Sequence, residues 1–268
     1  NSGLCRILIN QEKFKMNIVL VLSGGGIRGV AHIGAIKALE EYGIFPTHIS
    51  GTSAGAIVGA LYASGANWSE ILHFFKTIPL FRTKKYARSK PGFLDTEKYY
   101  ENFKQFFPED DFGALKKPLY VTGTDIIRGK LKIFHKGQVI RPVLASASFP
   151  GMFTPIKIGD AYYVDGGVLN NFPIEPLKNN CDKIIGSYVN PLKKIRIEDL
   201  KHSYTVVERA YKLKSASESL LKFSECDMII LPEGLSEFGT FEMNSVDVIF
   251  DLGYLAAKKI LDKNGGVL

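Results

Sequence analysis

The segment VLVLSGGGIRGVAHIG, residues 19–34, decides the fold because it runs from an apolar stretch through three consecutive glycines into a helical pattern. The apolar residues 17–22 predict a strand, and the residues after the glycines predict a helix. Gly24, Gly26 and Gly29 match GxGxxG, which between a strand and a helix is typical of dinucleotide binding. Bare N–H groups at a helix start would equally hold the oxyanion that forms during ester hydrolysis. The loop alone leaves both interpretations open.

Strand-like apolar segments alternate with longer helical patterns along the rest of the chain. This alternation predicts an α/β fold with a mostly parallel central sheet covered by helices on both faces. The further predicted strands are 47–51, 118–127, 130–134, 161–165, 183–189 and 227–231; the predicted helices end near residues 42 and 65 or span about 138–147, 199–224 and 244–263. No linker or repeat marks a domain boundary. Residues 16–268 are therefore predicted to form a single domain, preceded by residues 1–15 as an N-terminal extension.

The composition is that of an ordinary globular domain. Of the 268 residues, 46% are hydrophobic and 23% are charged, which is enough apolar content for one sizeable core. The net charge of +7 is compatible with an anionic partner such as nucleic acid or a phospholipid surface. No apolar run approaches the roughly 18 residues that span a bilayer, and the three cysteines lack zinc or disulfide spacing. We therefore expect a soluble, cytoplasmic protein without a metal site.

The tip of the second predicted strand distinguishes the two interpretations of the glycine loop. A dinucleotide-binding domain needs an acidic residue about 20 positions downstream, at this tip, to bind the ribose. Here the tip reads ISGTSAG, residues 49–55, while Glu40 and Glu41 lie too early, in the preceding helix. Between a strand and a small-residue helix, GTSAG matches the GxSxG of a nucleophile elbow, which presents a serine at a helix N-terminus. Ser53 is therefore the candidate nucleophile.

A serine nucleophile needs a base, and the histidines are poor candidates. In an α/β-hydrolase the order would be Ser, Asp, His, and only His202 follows the best acidic candidate. We expect packed or exposed positions for all five histidines, with His32, one turn behind the glycine loop, as a minor alternative. Asp165 stands out because it ends a short strand and precedes two glycines, so a rigid element would place its carboxylate. Asp160 is better explained by a turn, and Asp125, at another strand end, is a weaker alternative.

Three motifs occur in a specific order: GGGIRG at 24–29, GTSAG at 51–55, and DGG at 165–167, which ASASFPGMFTP precedes. Together they resemble the patatin-like phospholipases over about residues 17–177. The stretch DGGVLNNFPIEPL is similar to bacterial members and to the catalytic domain of neuropathy target esterase. The resemblance implies a three-layer α/β/α fold and hydrolysis of fatty-acyl esters of phospholipids, lysophospholipids or related lipids, with no cofactor and no metal.

The resemblance also implies roles for individual residues. By position, Ser53 is the nucleophile, Asp165 is the base of a Ser–Asp dyad without histidine, and the backbone of Gly24, Gly25 and Gly26 forms the oxyanion hole. One departure is the serine at position 23, where plant patatins carry an aspartate; this concerns loop packing more than chemistry. A non-lipid carboxylesterase and a nucleotide-binding protein are the alternative functions.

Arg28 and the region 67–116 receive more than one interpretation. Arg28, just past the glycines, would hold the shape of the loop or bind a lipid phosphate, or else pair with a nearby carboxylate. The region 67–116 is the candidate wall of an acyl pocket, although we expect most of its phenylalanines to pack in the core. Its basic loop 82–92 would contact anionic headgroups or lie in solvent. The expected partners are thus a lipid ester substrate and, transiently, a membrane surface, with no nucleic acid.

Overall fold

The computed structural model describes residues 16–78, 99–179, 181–240 and 245–266. Within these ranges eight strands form one sheet. The strands are β1 Ile18–Leu22, β2 His48–Gly51, β3 Leu119–Asp125, β4 Lys130–Phe134, β5 Ile156–Ile158, β6 Ala161–Asp165, β7 Lys183–Ser187 and β8 Met228–Ile230. Their order across the sheet is β5-β6-β3-β2-β1-β7-β8, and β4 pairs with β3.

The centre of the sheet is parallel. Parallel pairings join β3 to β2, β2 to β1, β1 to β7 and β7 to β8. Antiparallel pairings add β4 and β6 to β3, and β5 to β6. Because the carboxyl ends of parallel strands lie at the same edge of a sheet, the loops that follow β1, β2 and β7 meet there. The glycine loop and Ser53 therefore share one edge.

Seven α-helices lie within the described ranges. They are α1 Val30–Glu41, α2 Ala54–Ser64, α3 Trp68–Thr77, α4 Tyr100–Lys104, α5 Ile140–Ser146, α6 Ser203–Leu220 and α7 Val246–Lys263. A short 3-10 helix, Gly26–Gly29, leads from the glycine loop into α1. None of these helices combines the length and the apolar composition that a bilayer crossing requires.

Both faces of the central strands β1, β2 and β7 are buried. Successive side chains of a strand point to opposite faces, and Leu20 and Leu22 belong to the larger apolar cluster, which also contains residues of α1, α2, α3, α5 and α7. Val19 and Val21 belong to a second cluster on the other face, together with Phe172. A strand that is apolar throughout and covered on both faces is typical of a parallel sheet between two layers. The predicted α/β/α fold with a mostly parallel sheet is confirmed.

The predicted elements are present with shifted ends, whereas β5, α3 and α4 are absent from the prediction. β3 ends at Asp125, β7 ends at Ser187, and α6 begins only at Ser203 because Ile197–Asp199 forms a separate 3-10 turn. No prediction covers β5, whose three residues are too few to show a period.

The described part of the region 67–116 packs in the core. Phe74 contacts Phe103 and Phe106 edge to face, with ring centroids 5.0 and 5.6 Å apart, and Phe75 and Phe107 are also buried. Such contacts bury large apolar surfaces, so the expectation of core packing is confirmed for these five rings. None of these five rings lines the cavity that contains Ser53.

Three predictions concern residues outside the described ranges. These are the N-terminal extension 1–15, the basic loop 82–92, and the two further phenylalanines of the region 67–116, Phe81 and Phe93.

Candidate active site

Ser53 lies at the sharp turn between β2 and α2. Its φ of 54° and ψ of −123° are rarely adopted outside glycine and cost of the order of 1–3 kcal/mol. The turn requires glycine at positions 51 and 55. A Cβ atom on Gly51 would lie 2.6 Å from the Gly55 carbonyl oxygen, and one on Gly55 would lie 2.4 Å from the Leu22 carbonyl oxygen. This is the geometry of a nucleophile elbow, with the serine at the N-terminus of a helix.

The Ser53 hydroxyl donates a hydrogen bond to the Asp165 carboxylate, with an Oγ–Oδ2 distance of 2.7 Å. Asp165 ends β6, and only 2% of its surface is exposed. Its other oxygen, Oδ1, accepts from the Gly167 N–H at 2.7 Å, and its backbone N–H donates to the Ser148 carbonyl oxygen at 2.9 Å. The strand and these hydrogen bonds fix the carboxylate against the serine.

Burial raises the pKa of Asp165 to about 6, although the hydrogen bonds from Ser53 and Gly167 act in the opposite direction. An aspartate with the ordinary pKa of about 3.9 is a weak base for a serine hydroxyl. A pKa nearer to neutral makes the carboxylate a better proton acceptor, while the group stays ionised at pH 7. The buried carboxylate can therefore serve as a base without a histidine.

Two side chains hold carbonyl groups of the glycine loop. The Asn190 amide donates to the Gly24 carbonyl oxygen, and Arg28 Nε donates to the Gly25 carbonyl oxygen at 3.2 Å. Arg28 also donates from its guanidinium to Asn190 Oδ1 at 2.7 Å, so the two side chains form one unit. Burial lowers the pKa of Arg28 to about 10, with the nearby Glu208 carboxylate acting in the opposite direction. Arg28 therefore stays charged at neutral pH and shapes the loop.

The held carbonyls orient the N–H groups that follow them. In a planar trans peptide the C=O and the N–H point in opposite directions, so the N–H groups of Gly25 and Gly26 point away from Asn190 and Arg28. Neither N–H donates a hydrogen bond within the described residues, whereas the Gly24 N–H donates to the Asn171 carbonyl oxygen at 3.3 Å. Gly25 and Gly26 line the same cavity as Ser53. Among the residues that the structure describes, two of the three predicted glycines thus offer N–H groups without a partner beside the serine.

His32 also supports the loop, and both of its ring nitrogens make hydrogen bonds to residues other than Ser53 and Asp165. Its Nε2 donates to the Ser23 carbonyl oxygen at 2.8 Å, and its Nδ1 accepts from the Ser187 hydroxyl at 2.8 Å, since a carbonyl oxygen can only accept. Burial lowers the pKa of His32 to about 4, so the ring is neutral. The other histidines are half-buried or exposed: His48, His73, His135 and His202.

The two alternative aspartates bind Arg128 instead of Ser53. The Arg128 guanidinium donates to Asp125 Oδ2 at 3.0 Å and to Asp160 Oδ2 at 2.8 Å. Asp125 Oδ1 also accepts from two backbone N–H groups of the β3–β4 turn. Of the three candidates, the structure brings only Asp165 to the serine.

Several site residues have no predicted role. The cavity around Ser53 encloses about 40 Å³, and its further lining residues are Phe149, Asn171, Asn190, Glu208, Tyr211, Lys212, Ser215 and Thr240. Ser146 is also missing from the prediction, although its hydroxyl oxygen accepts from the Ser53 N–H at 2.9 Å. Ser146 and Asn171 lie inside the motifs quoted above, whereas the residues of α6 carry no motif. In the described part of the chain, no group of three or more His, Cys, Asp or Glu side chains could hold a metal ion.

A family model described as patatin-like phospholipase matches residues 20–178, more than half of the chain. The chain belongs to this family. The matched span contains the glycine loop, Ser53 and Asp165, so the predicted family resemblance is confirmed.

Relatives of this patatin-like chain include NTE family proteins. An uncharacterized NTE family protein of Mycobacterium tuberculosis strain H37Rv is 32% identical over 177 residues, which are 65% of this chain and 49% of that protein. Lysophospholipase nte1 of Aspergillus fumigatus is 26% identical over 283 residues, covering 91% of this chain and 18% of that protein. The chain thus spans at most about half the length of these relatives.

A solved structure shares the fold of this patatin-like chain. The crystal structure of VipD from Legionella pneumophila superposes with a TM-score of 0.59 at 17% sequence identity, covering 92% of this chain and 67% of VipD. At this identity the similarity concerns the architecture alone.

The raised pKa of Asp165 predicts that the buried carboxylate lowers the free energy of unfolding at neutral pH. The folded-state pKa of about 6 lies above the ordinary 3.8, so the folded protein binds the proton more tightly, and stability falls as the pH rises from about 4 to 6. At one pKa unit per 1.36 kcal/mol, Asp165→Asn should raise the free energy of unfolding at pH 7.5 by up to about 3 kcal/mol. The gain should shrink to below about 1 kcal/mol at pH 4, where the folded carboxyl is neutral and the unfolded carboxyl is about half ionised.

Urea unfolding at the two pH values measures this difference. Asp160→Asn, at an exposed position, is the matched control and should change little. An Asp165→Asn protein that is no more stable than wild type at pH 7.5 would contradict the assignment of a destabilised carboxylate.

Proposed function

We propose that this chain is a serine acyl hydrolase that cleaves fatty-acyl esters of phospholipids or lysophospholipids. The observation that carries the proposal is the hydrogen bond from the Ser53 hydroxyl to the buried Asp165 carboxylate. It is supported by membership of the patatin-like phospholipase family and by similarity to a protein named lysophospholipase nte1. Ser53 and Asp165 act as a catalytic dyad, and the reaction proceeds through an acyl-enzyme.

In the first half-reaction the ester carbonyl oxygen lies against the Gly25 and Gly26 N–H groups. Ser53 Oγ attacks the carbonyl carbon while Asp165 takes the hydroxyl proton. The two N–H groups stabilise the resulting oxyanion. When the tetrahedral intermediate collapses, the C–O bond to the alcohol breaks and the alcohol leaves with the proton from Asp165. The fatty-acyl group stays on Ser53 as an ester.

In the second half-reaction water replaces the alcohol. Asp165 takes a proton from the water, whose oxygen attacks the acyl carbon, and the same N–H groups stabilise the second oxyanion. Collapse releases the fatty acid and returns the proton to Ser53 Oγ. No cofactor enters either step.

The basicity of Asp165 determines how much of the rate acceleration the glycine loop must supply. A carboxylate of pKa about 6 remains a modest base for a hydroxyl, so stabilisation of the oxyanion must supply much of the acceleration. Removal of a single oxyanion donor typically costs about 2.7–4 kcal/mol. Arg28 and Asn190, which hold the loop carbonyls, are therefore positioning residues for the reaction.

Exchange of either dyad residue should abolish hydrolysis. Ser53→Ala and Asp165→Asn should each lower kcat for lysophosphatidylcholine and for p-nitrophenyl butyrate by about 10⁴-fold, as expected when members of one catalytic unit are removed. Ser64→Ala, at the far end of the helix that follows Ser53, and Asp160→Asn are the matched controls and should keep wild-type rates. If Ser53→Ala retained more than about a tenth of the activity, the nucleophile would be another residue. Hydrolysis of the butyrate ester alone would indicate a non-lipid carboxylesterase.

Arg28→Lys tests the positioning role. Lysine keeps the charge but lacks the planar fork that binds the Gly25 carbonyl and Asn190 together. We expect a roughly 10–100-fold lower kcat for p-nitrophenyl butyrate with little change in KM, since the loop acts on the transition state. Arg128→Lys, an exposed arginine, is the control. An effect confined to KM would instead favour the interpretation of Arg28 as a substrate-binding residue.

A further inference from the structure

Helix α6 turns its polar face inward and an apolar face outward. Its inward face lines the cavity around Ser53 with Glu208, Tyr211, Lys212 and Ser215. Its outward face carries Val206, Leu213 and Leu220, which follow one another at seven-residue intervals and are 48%, 46% and 53% exposed. Residues seven apart lie on nearly the same side of a helix. The three side chains therefore form one stripe along the outer side of α6.

This arrangement is the reverse of an ordinary surface helix, which buries its apolar stripe and exposes its polar face. The stripe is also part of a larger group of exposed hydrophobic side chains. Of the 17 large hydrophobic side chains that are exposed in the described residues, eight lie between Leu192 and Leu221. Exposed apolar side chains that are scattered singly need no explanation, but a contiguous patch marks an interaction surface.

Positive charge accompanies the apolar side chains. The stretch 192–221 contains seven Lys or Arg residues against four Asp or Glu, which gives +3 of the chain's net charge of +7. In its first part, LKKIRI, the exposed Leu192, Ile195 and Ile197 alternate with exposed basic residues. Basic side chains beside an apolar face are typical of helices that lie on anionic lipid surfaces. Lysine is depleted in protein–protein interfaces, so the charge favours lipid over a protein partner.

Part of this surface also adjoins the cavity around Ser53. A cavity of about 40 Å³ around the serine has room for only a few water molecules, so most of an acyl ester must lie outside it. A neighbouring cleft of about 550 Å³ is lined by Leu192 and Ile195, and it shares Arg28, Glu208 and Lys212 with the cavity. Leu192 and Ile195, with the basic Lys193 and Arg209, thus line a cleft that adjoins the cavity of the nucleophile.

We propose that the outward stripe of α6, together with the loop 192–202 before it, binds the surface of an anionic lipid bilayer. The inference rests on the proposed function, since it names the surface from which the ester enters. The stripe inserts among the acyl chains, the basic residues of the loop contact the headgroups, and the cleft opens toward the lipid. An ester passes from the bilayer to Ser53 without crossing water.

The test uses the Ser53→Ala protein, so that hydrolysis does not change the vesicles. Cosedimentation with vesicles of phosphatidylcholine and phosphatidylglycerol should show binding that falls with salt and weakens on vesicles of phosphatidylcholine alone. Adding Val206→Ser, Leu213→Ser and Leu220→Ser should weaken binding by at least about tenfold. The matched control adds Val248→Ser and Leu255→Ser, two equally exposed apolar residues of α7, and should bind as before. Circular dichroism and thermal unfolding check that each variant is folded.

A second variant tests the charge independently. Lys194→Ser, Arg196→Ser and Lys201→Ser should remove the preference for phosphatidylglycerol. Equal binding by the stripe variant and the α7 control would overturn the proposal. The proposal would also be overturned if the protein did not bind vesicles but formed dimers, and if the stripe variant were monomeric. The stripe would then be a protein interface. Vesicle binding without any Ser53-dependent hydrolysis by the wild type would instead refute the proposed function and leave the surface assignment standing.

Discussion

A single hydrogen bond, from the Ser53 hydroxyl to the buried Asp165 carboxylate, is the constraint around which the site is arranged. Both partners are held in unfavourable states, since Ser53 has a strained backbone and Asp165 is a carboxylate removed from water. Such states persist only where the surrounding structure over-determines them. Here the sheet does so: β2 delivers Ser53, β6 delivers Asp165, and β3 pairs with both strands. The stability of the sheet thus offsets the unfavourable free energy of the two site residues.

The glycine loop presents backbone N–H groups at a helix start, as a phosphate-binding loop does, and we propose that its ligand is an oxyanion. Its successive carbonyls at Ser23, Gly24 and Gly25 are held by His32, Asn190 and Arg28. Because each peptide is planar, holding these three carbonyl groups also fixes the direction of the N–H group that follows each of them. A preorganised donor needs no reorientation when charge develops, which is the condition for strong stabilisation of a transition state. In the proposed reaction the buried arginine would therefore act through the loop.

The parts of this structure that follow from local chemistry could be predicted from the sequence. The strand before the glycines, the elbow at Ser53 and the strand end at Asp165 each have a signature of a few residues. The role of Arg28 could not be decided, because its partner Asn190 lies 162 residues away. The three residues of β5 are too short to show a pattern. The orientation of α6 depends on tertiary packing, because its inward residues are polar and its apolar residues face outward, against the usual rule.

The central claim, that a buried carboxylate of raised pKa activates Ser53, is tested most directly by the pH dependence of phosphonylation. A fluorophosphonate reacts with the activated serine, and the second-order rate constant reports the ionisations of the free enzyme. We predict a constant rate near neutrality that declines below about pH 6, with the label on Ser53. A rate that stays unchanged from pH 7.5 down to about pH 4.5, in protein that circular dichroism shows to be folded, would contradict the claim.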